Sequence, residues 1–262
     1  MSASAKPVAI VTGASSGLGV DFARELARDG YELVLVARST AALERVAEEL
    51  RTAHGTMAHV LSLDLAKPGA GAALAAAVAE LALEPEVLIN NAGFGDNNAF
   101  ASADAAFISE MMQLNVVTLT DLTRAFVPGM IARGKGRIML LGSTASFQPV
   151  PYMAVYSATK AFVLSFGEAL AYELRGTGVS VTTVCPGVTR TGFQKTAGFE
   201  AGSPVLRGGM MTAQEVAHQG YEALKAGLPV IVTGLPNRVM ALGGRYLPRA
   251  LVLSLAGRTL AK

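Results

Sequence analysis

Charge is what this chain has least of. Only 16% of its 262 residues are Asp, Glu, Lys or Arg, against about 25% in an ordinary soluble domain. The 22 basic and 20 acidic residues nearly cancel, to a net +2. No basic block stands out, which argues against nucleic acid as a partner. Cysteine is almost missing: Cys185 stands alone, which excludes an internal disulfide and fits a reducing compartment. The opening residues, MSASAKP, lack the charged-then-apolar pattern of a secretory signal. No uninterrupted apolar run approaches the roughly 18 residues of a membrane helix. The expectation is a soluble cytoplasmic protein with no integral membrane span.

Apolar and small residues fill the space that charge leaves. The apolar fraction is 51%, enough for a large dry core and too much for a disordered chain. Glycine occupies 28 positions, so tight turns or close backbone approaches are expected. The length suits one α/β domain, with residues 1–262 as a single unit.

Short β-rich runs alternate with helical stretches. Val8–Thr12, Leu33–Ala37, Met57–Leu63, Val87–Asn90, Arg137–Leu141, Val179–Cys185 and Val230–Thr233 read as strands. Leu18–Asp29, Ala41–Thr52, Ala70–Leu83, Asp104–Arg133, Val155–Gly176 and Thr212–Ala226 read as helices. Several strands are continuous apolar runs, as strands covered on both faces are. The pattern predicts a doubly wound Rossmann-type fold, a seven-stranded parallel sheet with helices on both faces. Residues 187–211 break the rhythm as a long Gly/Thr-rich connection, the length of a substrate lid. Residues 238–262 form an apolar tail with scattered arginines.

The first strand ends in Thr12-Gly13-Ala14-Ser15-Ser16-Gly17-Leu18-Gly19, and a helix follows at once. Glycines there permit a tight turn and close approach of a pyrophosphate, to which the helix amino terminus offers free N–H groups. Gly13, Ser15, Ser16, Gly17, Leu18 and Gly19 are therefore the candidate phosphate cradle, although their GxxxGxG spacing is not the commoner GxGxxG. An NAD-preferring site places an acid about 20 residues further on, against the ribose 2′-hydroxyl. This chain has Ala37-Arg38-Ser39. Arg38 can fork onto a 2′-phosphate and stack on adenine, so NADP(H) is the expected cofactor.

Tyr156 and Lys160 stand four apart on a helix and share a face. Tyrosine ionises near 10, so exchanging protons readily near neutrality needs help worth about 4 kcal/mol. A nearby lysine ammonium acts in that direction. Ser143, at the end of the fifth strand, is placed to hydrogen-bond a reacting oxygen, and Thr144 and Ser146 read as turn formers.

Taken together, these motifs resemble the short-chain dehydrogenase/reductase family, in its compact type of roughly 250 residues. The resemblance runs from Val8 to Phe193 and includes TGASSGLG at 12–19, Asp64-Leu65, Asn90-Asn91-Ala92-Gly93, Asn115, Ser143, YSATK at 156–160, and Pro186-Gly187 with Thr189 and Thr191. The wording is most similar to a subgroup of general oxidoreductases of unassigned substrate. The resemblance implies a catalytic tetrad of Asn115, Ser143, Tyr156 and Lys160. Tyr156 would exchange the proton, Ser143 orient the oxygen, Lys160 lower the tyrosine pKa and bind the nicotinamide ribose, and Asn115 hold a relay water. Asp64 and Leu65 would meet the adenine. Asn91, Ala92 and Gly93 would line the adenosine, with Asn90 tying neighbouring strands. Pro186, Gly187, Val188, Thr189 and Thr191 would close over the carboxamide beside Tyr156 and Lys160. Cys185 reads as a small core residue.

Phe94, Phe147, Val150, Met153 and Phe193 flank this region, so Phe94, Phe147, Met153 and Phe193 are candidate substrate contacts for an apolar carbonyl or secondary alcohol. Asp96, Asn97 and Asn98 put polarity at its mouth. The alternatives are a 3-oxoacyl thioester reductase and a non-catalytic NADP-binding sensor or scaffold, against which four filled tetrad positions weigh. The tail is expected to pack on its own fold or a partner subunit rather than on a membrane surface. The family implies a homodimer or homotetramer built through residues 104–131 and 155–175.

Overall fold

The computed structural model describes residues 6–199 and 210–260. Strand β1 (Val8–Thr12) leads into helix α1 (Leu18–Arg28), β2 (Glu32–Ala37) into α2 (Thr40–His54), and β3 (Ala58–Ser62) into α3 (Ala70–Glu80). Next come β4 (Pro85–Asn90), α4 (Ala105–Met112), a π-helical turn at Gln113–Thr118, and α5 (Leu119–Ala132). After them lie β5 (Gly136–Leu141), a 3-10 turn at Thr144–Phe147, α6 (Ala154–Glu173) and β6 (Val179–Cys185). The rest is β7 (Thr189–Arg190), α7 (Phe193–Thr196), β8 (Met211–Thr212), α8 (Ala213–Lys225), β9 (Val230–Val232), α9 (Leu235–Tyr246) and α10 (Arg249–Leu260).

Seven strands pair in parallel in the order β3-β2-β1-β4-β5-β6-β9. Alternate residues of each strand feed opposite faces. Ala9 and Val11 pack with Phe22 and Leu26 of α1, Leu43 of α2 and Tyr221 of α8. Val8 and Ile10 pack with Leu74 of α3, Leu122 of α5 and Val163 of α6. Both faces are covered, which is why the strands read as unbroken apolar runs. The sheet reverses its direction of growth between β1 and β4, and such a switch opens a crevice at the carboxyl ends of the strands. The expected fold class is the observed one.

Three local features depart from the periodicity. The stretch 104–133 reads as one helix, but the π-helical turn divides it around Asn115. The apolar tail forms two helices, α9 and α10. Within the expected lid, β7 pairs in parallel with β8 and α7 follows β7, while positions 200–209 lie outside the described residues.

Helix α6 approaches β6 closely because Gly167 has no side chain. A methyl there would collide with Thr183 Oγ1, a buried hydroxyl without a hydrogen-bond partner among the described residues. Gly167→Ala should destabilise the fold by about 2 kcal/mol, even after the helix-propensity gain. Adding Thr183→Ala should recover part of that loss. Denaturant melts would show it, and a single variant melting with the parent would mean that the helix shifts without cost.

Candidate active site

The marked residues gather along the carboxyl edge of the sheet. Gly13–Gly19 follow β1, Arg38 follows β2, Asp64 and Leu65 follow β3, and Asn91–Gly93 follow β4. Ser143 follows β5 and Pro186–Thr191 follow β6. The first turns of α6 add Tyr156 and Lys160, and the π-helical turn adds Asn115.

The turn after β1 holds Gly13 and Gly17 at φ +67° and +57°, which favour glycine. A Cβ at Gly13 would sit 2.8 Å from Asn91 Nδ2, and one at Gly19 would strike the Gly13 carbonyl. No side chain caps the amino terminus of α1, so its first amides keep their capacity for an anion. Thr191 lies against Gly17, where a Cβ would come within 3.3 Å of its own. A glycine cradle before an uncapped helix fits a dinucleotide pyrophosphate.

Asn91 and Thr12 fasten this turn to the loop after β4. Asn91 Nδ2 donates to Thr12 O at 2.8 Å and to Gly13 O at 3.3 Å. Thr12 Oγ1 accepts from the Asn91 and Ala92 amides at 3.0 Å and donates to Ile89 O. The resemblance implied that Asn90 ties neighbouring strands; its Nδ2 instead donates to Thr123 Oγ1 of α5 at 3.0 Å. Successive side chains at a strand end point to opposite faces, so only one of the two can reach β1.

Arg38 is exposed and makes no ion pair among the described residues. Its carbonyl accepts from Ser62 Oγ, and Ser39 Oγ accepts from Ala42 N to cap α2. Asp64 Oδ1 accepts from Ala66 N. Leu65 sends its side chain into the core and accepts at its carbonyl from Thr118 Oγ1 at 2.8 Å, so only its backbone borders the crevice.

The tetrad residues converge. Ser143 lies beside Tyr156 and acts to lower its pKa, and its Oγ accepts from Ala145 N. Ser146 Oγ accepts from Ser143 N and donates to Lys160 O at 2.8 Å. It therefore ties the end of β5 to α6, a larger part than turn formation. Lys160 Nζ donates to Leu141 O at 2.7 Å and lies 5.8 Å from the Tyr156 ring centre. Asn115 is fully buried; its Nδ2 donates to Phe94 O at 2.9 Å and Thr159 Oγ1 at 3.2 Å, and its Oδ1 accepts from Phe94 N. Its amide thus clamps the loop after β4 to α6.

Burial pushes the Tyr156 hydroxyl up to about 12, against the lowering pull of nearby Ser143. Burial likewise takes Lys160 down to about 8. The expectation was a tyrosine lowered by the lysine. Enclosure dominates instead, because both groups lose water while the ammonium is engaged by a carbonyl. The Cys185 thiol behind them is buried and pushed up to about 12, an inert core residue as expected.

An apolar cluster surrounds Tyr156 and contains Phe94, Val150, Met153 and Phe193. The Phe193 and Tyr156 rings are 5.5 Å apart, and the Gly95 backbone lies against both. The Phe94 and Phe107 rings are 4.8 Å apart and tilted by 57°. Phe147 stands apart, ending its 3-10 turn toward Gly244 of α9. Met111 of α4 and Leu260 of α10 complete the cluster. Neither was marked from the sequence, and nothing local in the chain says where a C-terminal leucine lands. Tyr152 borders a cleft beside Tyr156 with Ile108 and Met111, its own backbone at φ +64°. Asp96 and Asn98 border the same cleft and bond to each other, whereas Asn97 is buried.

The family described as short chain dehydrogenase matches residues 7–200. The chain is 36% identical over 217 residues to a protein named ketoacyl reductase HetN from Nostoc sp., across 82% of this chain and 74% of that one. A solved short-chain dehydrogenase from Sphingobium yanoikuyae in complex with NADPH matches with a TM-score of 0.80 and 35% identity, covering 91% of this chain and 92% of the other. A bulky-bulky ketone specific alcohol dehydrogenase from Comamonas testosteroni matches with a TM-score of 0.78 and 30% identity, covering 94% and 100%.

Proposed function

This chain belongs to the short-chain dehydrogenase/reductase family, and we propose that it uses NADP(H) to interconvert the carbonyl and secondary alcohol of an apolar substrate. The observation that carries the proposal is the convergence of Ser143, Tyr156 and Lys160, whose Nζ lies 5.8 Å from the tyrosine ring centre, on an apolar cluster. The glycine turn and the start of α1 would hold the pyrophosphate, Arg38 the 2′-phosphate, Asp64 and Leu65 the adenine, Asn91–Gly93 the adenosine, Lys160 the nicotinamide ribose and Pro186–Thr191 the carboxamide. When bound, the dihydronicotinamide supplies a hydride; the protein supplies position, a proton and a dry site.

Tyr156 Oη donates its proton to the substrate oxygen, and Ser143 Oγ orients that oxygen. The Lys160 ammonium stabilises the phenolate left behind. Asn115 fixes the spacing between the loop after β4 and α6 and anchors the relay water. The chain acts as one domain, and the described part of the expected lid is the β7–α7 stretch and β8. With Tyr156 at about 12 and Lys160 at about 8, the acid is protonated at neutrality and the lysine is charged below about 8. Reduction should therefore hold level at neutral pH and fall about tenfold per pH unit above the lysine value. A pH profile of kcat/KM level well beyond it would remove the lysine charge from the mechanism.

A 3-oxoacyl thioester is the second substrate reading, favoured by the likeness to a protein named ketoacyl reductase. The deciding experiment is NADPH consumption with aromatic, steroid, aliphatic and acyl-thioester ketones. Turnover of a bulky ketone supports the first reading and of the thioester alone the second. Tight NADPH binding without turnover on any of them points to the sensor. Exposed Val117, Ile131, Phe162 and Tyr172 on the 104–131 and 155–175 stretches support a homodimer or homotetramer. Light scattering should then give a mass at least twice 27.0 kDa.

A further inference from the structure

Helix α9 is built inside out. Leu235, Val239, Leu242 and Tyr246 recur at helical spacing on one face, and they are 72%, 63%, 56% and 76% exposed. The face toward the protein carries Asn237, Ala241 and Gly244. Asn237 Nδ2 donates to Thr233 O at 2.8 Å, Ala241 is buried, and Gly244 lies against Gln148. Single exposed leucines are ordinary, but a full apolar stripe on a folded protein calls for a partner. Helix α10 extends the surface through exposed Leu247 at its approach and through Leu251 and Leu255, one turn apart, while buried Val252 and Leu260 hold it to the body.

The charge on this segment is of one sign. No Asp or Glu follows Glu222, whereas Arg238, Arg245, Arg249, Arg258 and Lys262 do. Arg238, Arg249 and Arg258 are exposed. A second copy of the same surface would oppose cations to cations with no carboxylate to pair them. A layer of anionic headgroups over acyl chains complements both the leucines and the arginines. No helix among the described residues is long and apolar enough to cross a membrane, so the contact lies in the surface plane.

We propose that the α9–α10 segment docks on an anionic lipid bilayer, its apolar stripe at the headgroup–acyl boundary and its arginines on the phosphates. The tail does pack on its own fold, through buried Ala241, Val252 and Leu260, and the proposal concerns the face it leaves outward. The proposal is independent of the hydride-transfer reading, since its test is binding.

The full chain is sedimented with vesicles of phosphatidylcholine and with vesicles of equimolar phosphatidylcholine and phosphatidylglycerol, at low and high salt. Binding to the anionic vesicles, weakened by salt, is the expected result. Val239→Gln with Leu242→Gln should weaken it about tenfold or more, and Arg249→Glu with Arg258→Glu should do the same. Thermal melts matching the parent would show that these exposed changes leave the fold intact. Absence of binding to either vesicle overturns the proposal, as does undiminished binding by both folded double variants. A drop in oligomer mass on Val239→Gln with Leu242→Gln, without vesicle binding by the parent, would assign the stripe to a second copy and overturn it too.

Discussion

Tyr156→Phe should lower turnover of whichever ketone the protein reduces by about 1,000-fold, within the range of a lost general acid. NADPH binding, followed by fluorescence, should change no more than a few-fold. The contrast arises because phenylalanine keeps nearly everything that tyrosine does structurally. The ring still packs 5.5 Å from Phe193 and against the Gly95 backbone. Ser143 Oγ still accepts from Ala145 N. What disappears is the proton that the proposed mechanism transfers to the substrate oxygen. A buried hydroxyl held near 12 is a poor base at neutrality, so reduction is the direction in which its loss reads most cleanly. Turnover surviving within tenfold would mean that another group supplies the proton. A melt lowered together with cofactor binding would mean that the substitution acted through packing.

The sheet was legible because its strands are nearly continuous apolar runs between glycines and prolines, a pattern that depends on local sequence alone. The phosphate turn was legible for the same reason: its glycines are adjacent in the chain. What periodicity could not show was set by distant contacts. The π-helical turn at 113–118 hides inside a good helical pattern, although Asn115, a poor helix former, marked the place. Its cause is tertiary, since the buried amide meets Phe94 and Thr159 rather than solvent. That Asn91 rather than Asn90 reaches β1 turns on which face each side chain takes, a one-residue question that composition does not answer. The raised tyrosine was missed because a Tyr–Lys spacing reports proximity and says nothing of enclosure. Leu260 joins the cluster around Tyr156 only because two tail helices bring it back more than a hundred positions later.

Arg38→Asp should reverse the cofactor preference. The end of β2 carries no acid in the parent chain, and Arg38 stands exposed there with its carbonyl pinned by Ser62 Oγ. Nearby Lys67 is occupied by Glu110 at 2.7 Å, so Arg38 is the cation better placed to take a 2′-phosphate. A charge-assisted, two-pronged contact is worth about 2–3 kcal/mol, so its removal alone should weaken NADPH about 30- to 150-fold. Aspartate adds repulsion to that loss. It also offers an acceptor to the 2′-hydroxyl, so NADH should bind several-fold more tightly than to the parent. The substitution lies outside the core and before the Ser39 cap, and the melting temperature should not move. Titration of both dinucleotides against parent and variant decides the matter. A ratio of NADPH to NADH affinity that stays constant would make Arg38 an ordinary solvated side chain. A parent that already prefers NADH would place the discriminating contact elsewhere on the loops after β2 and β3.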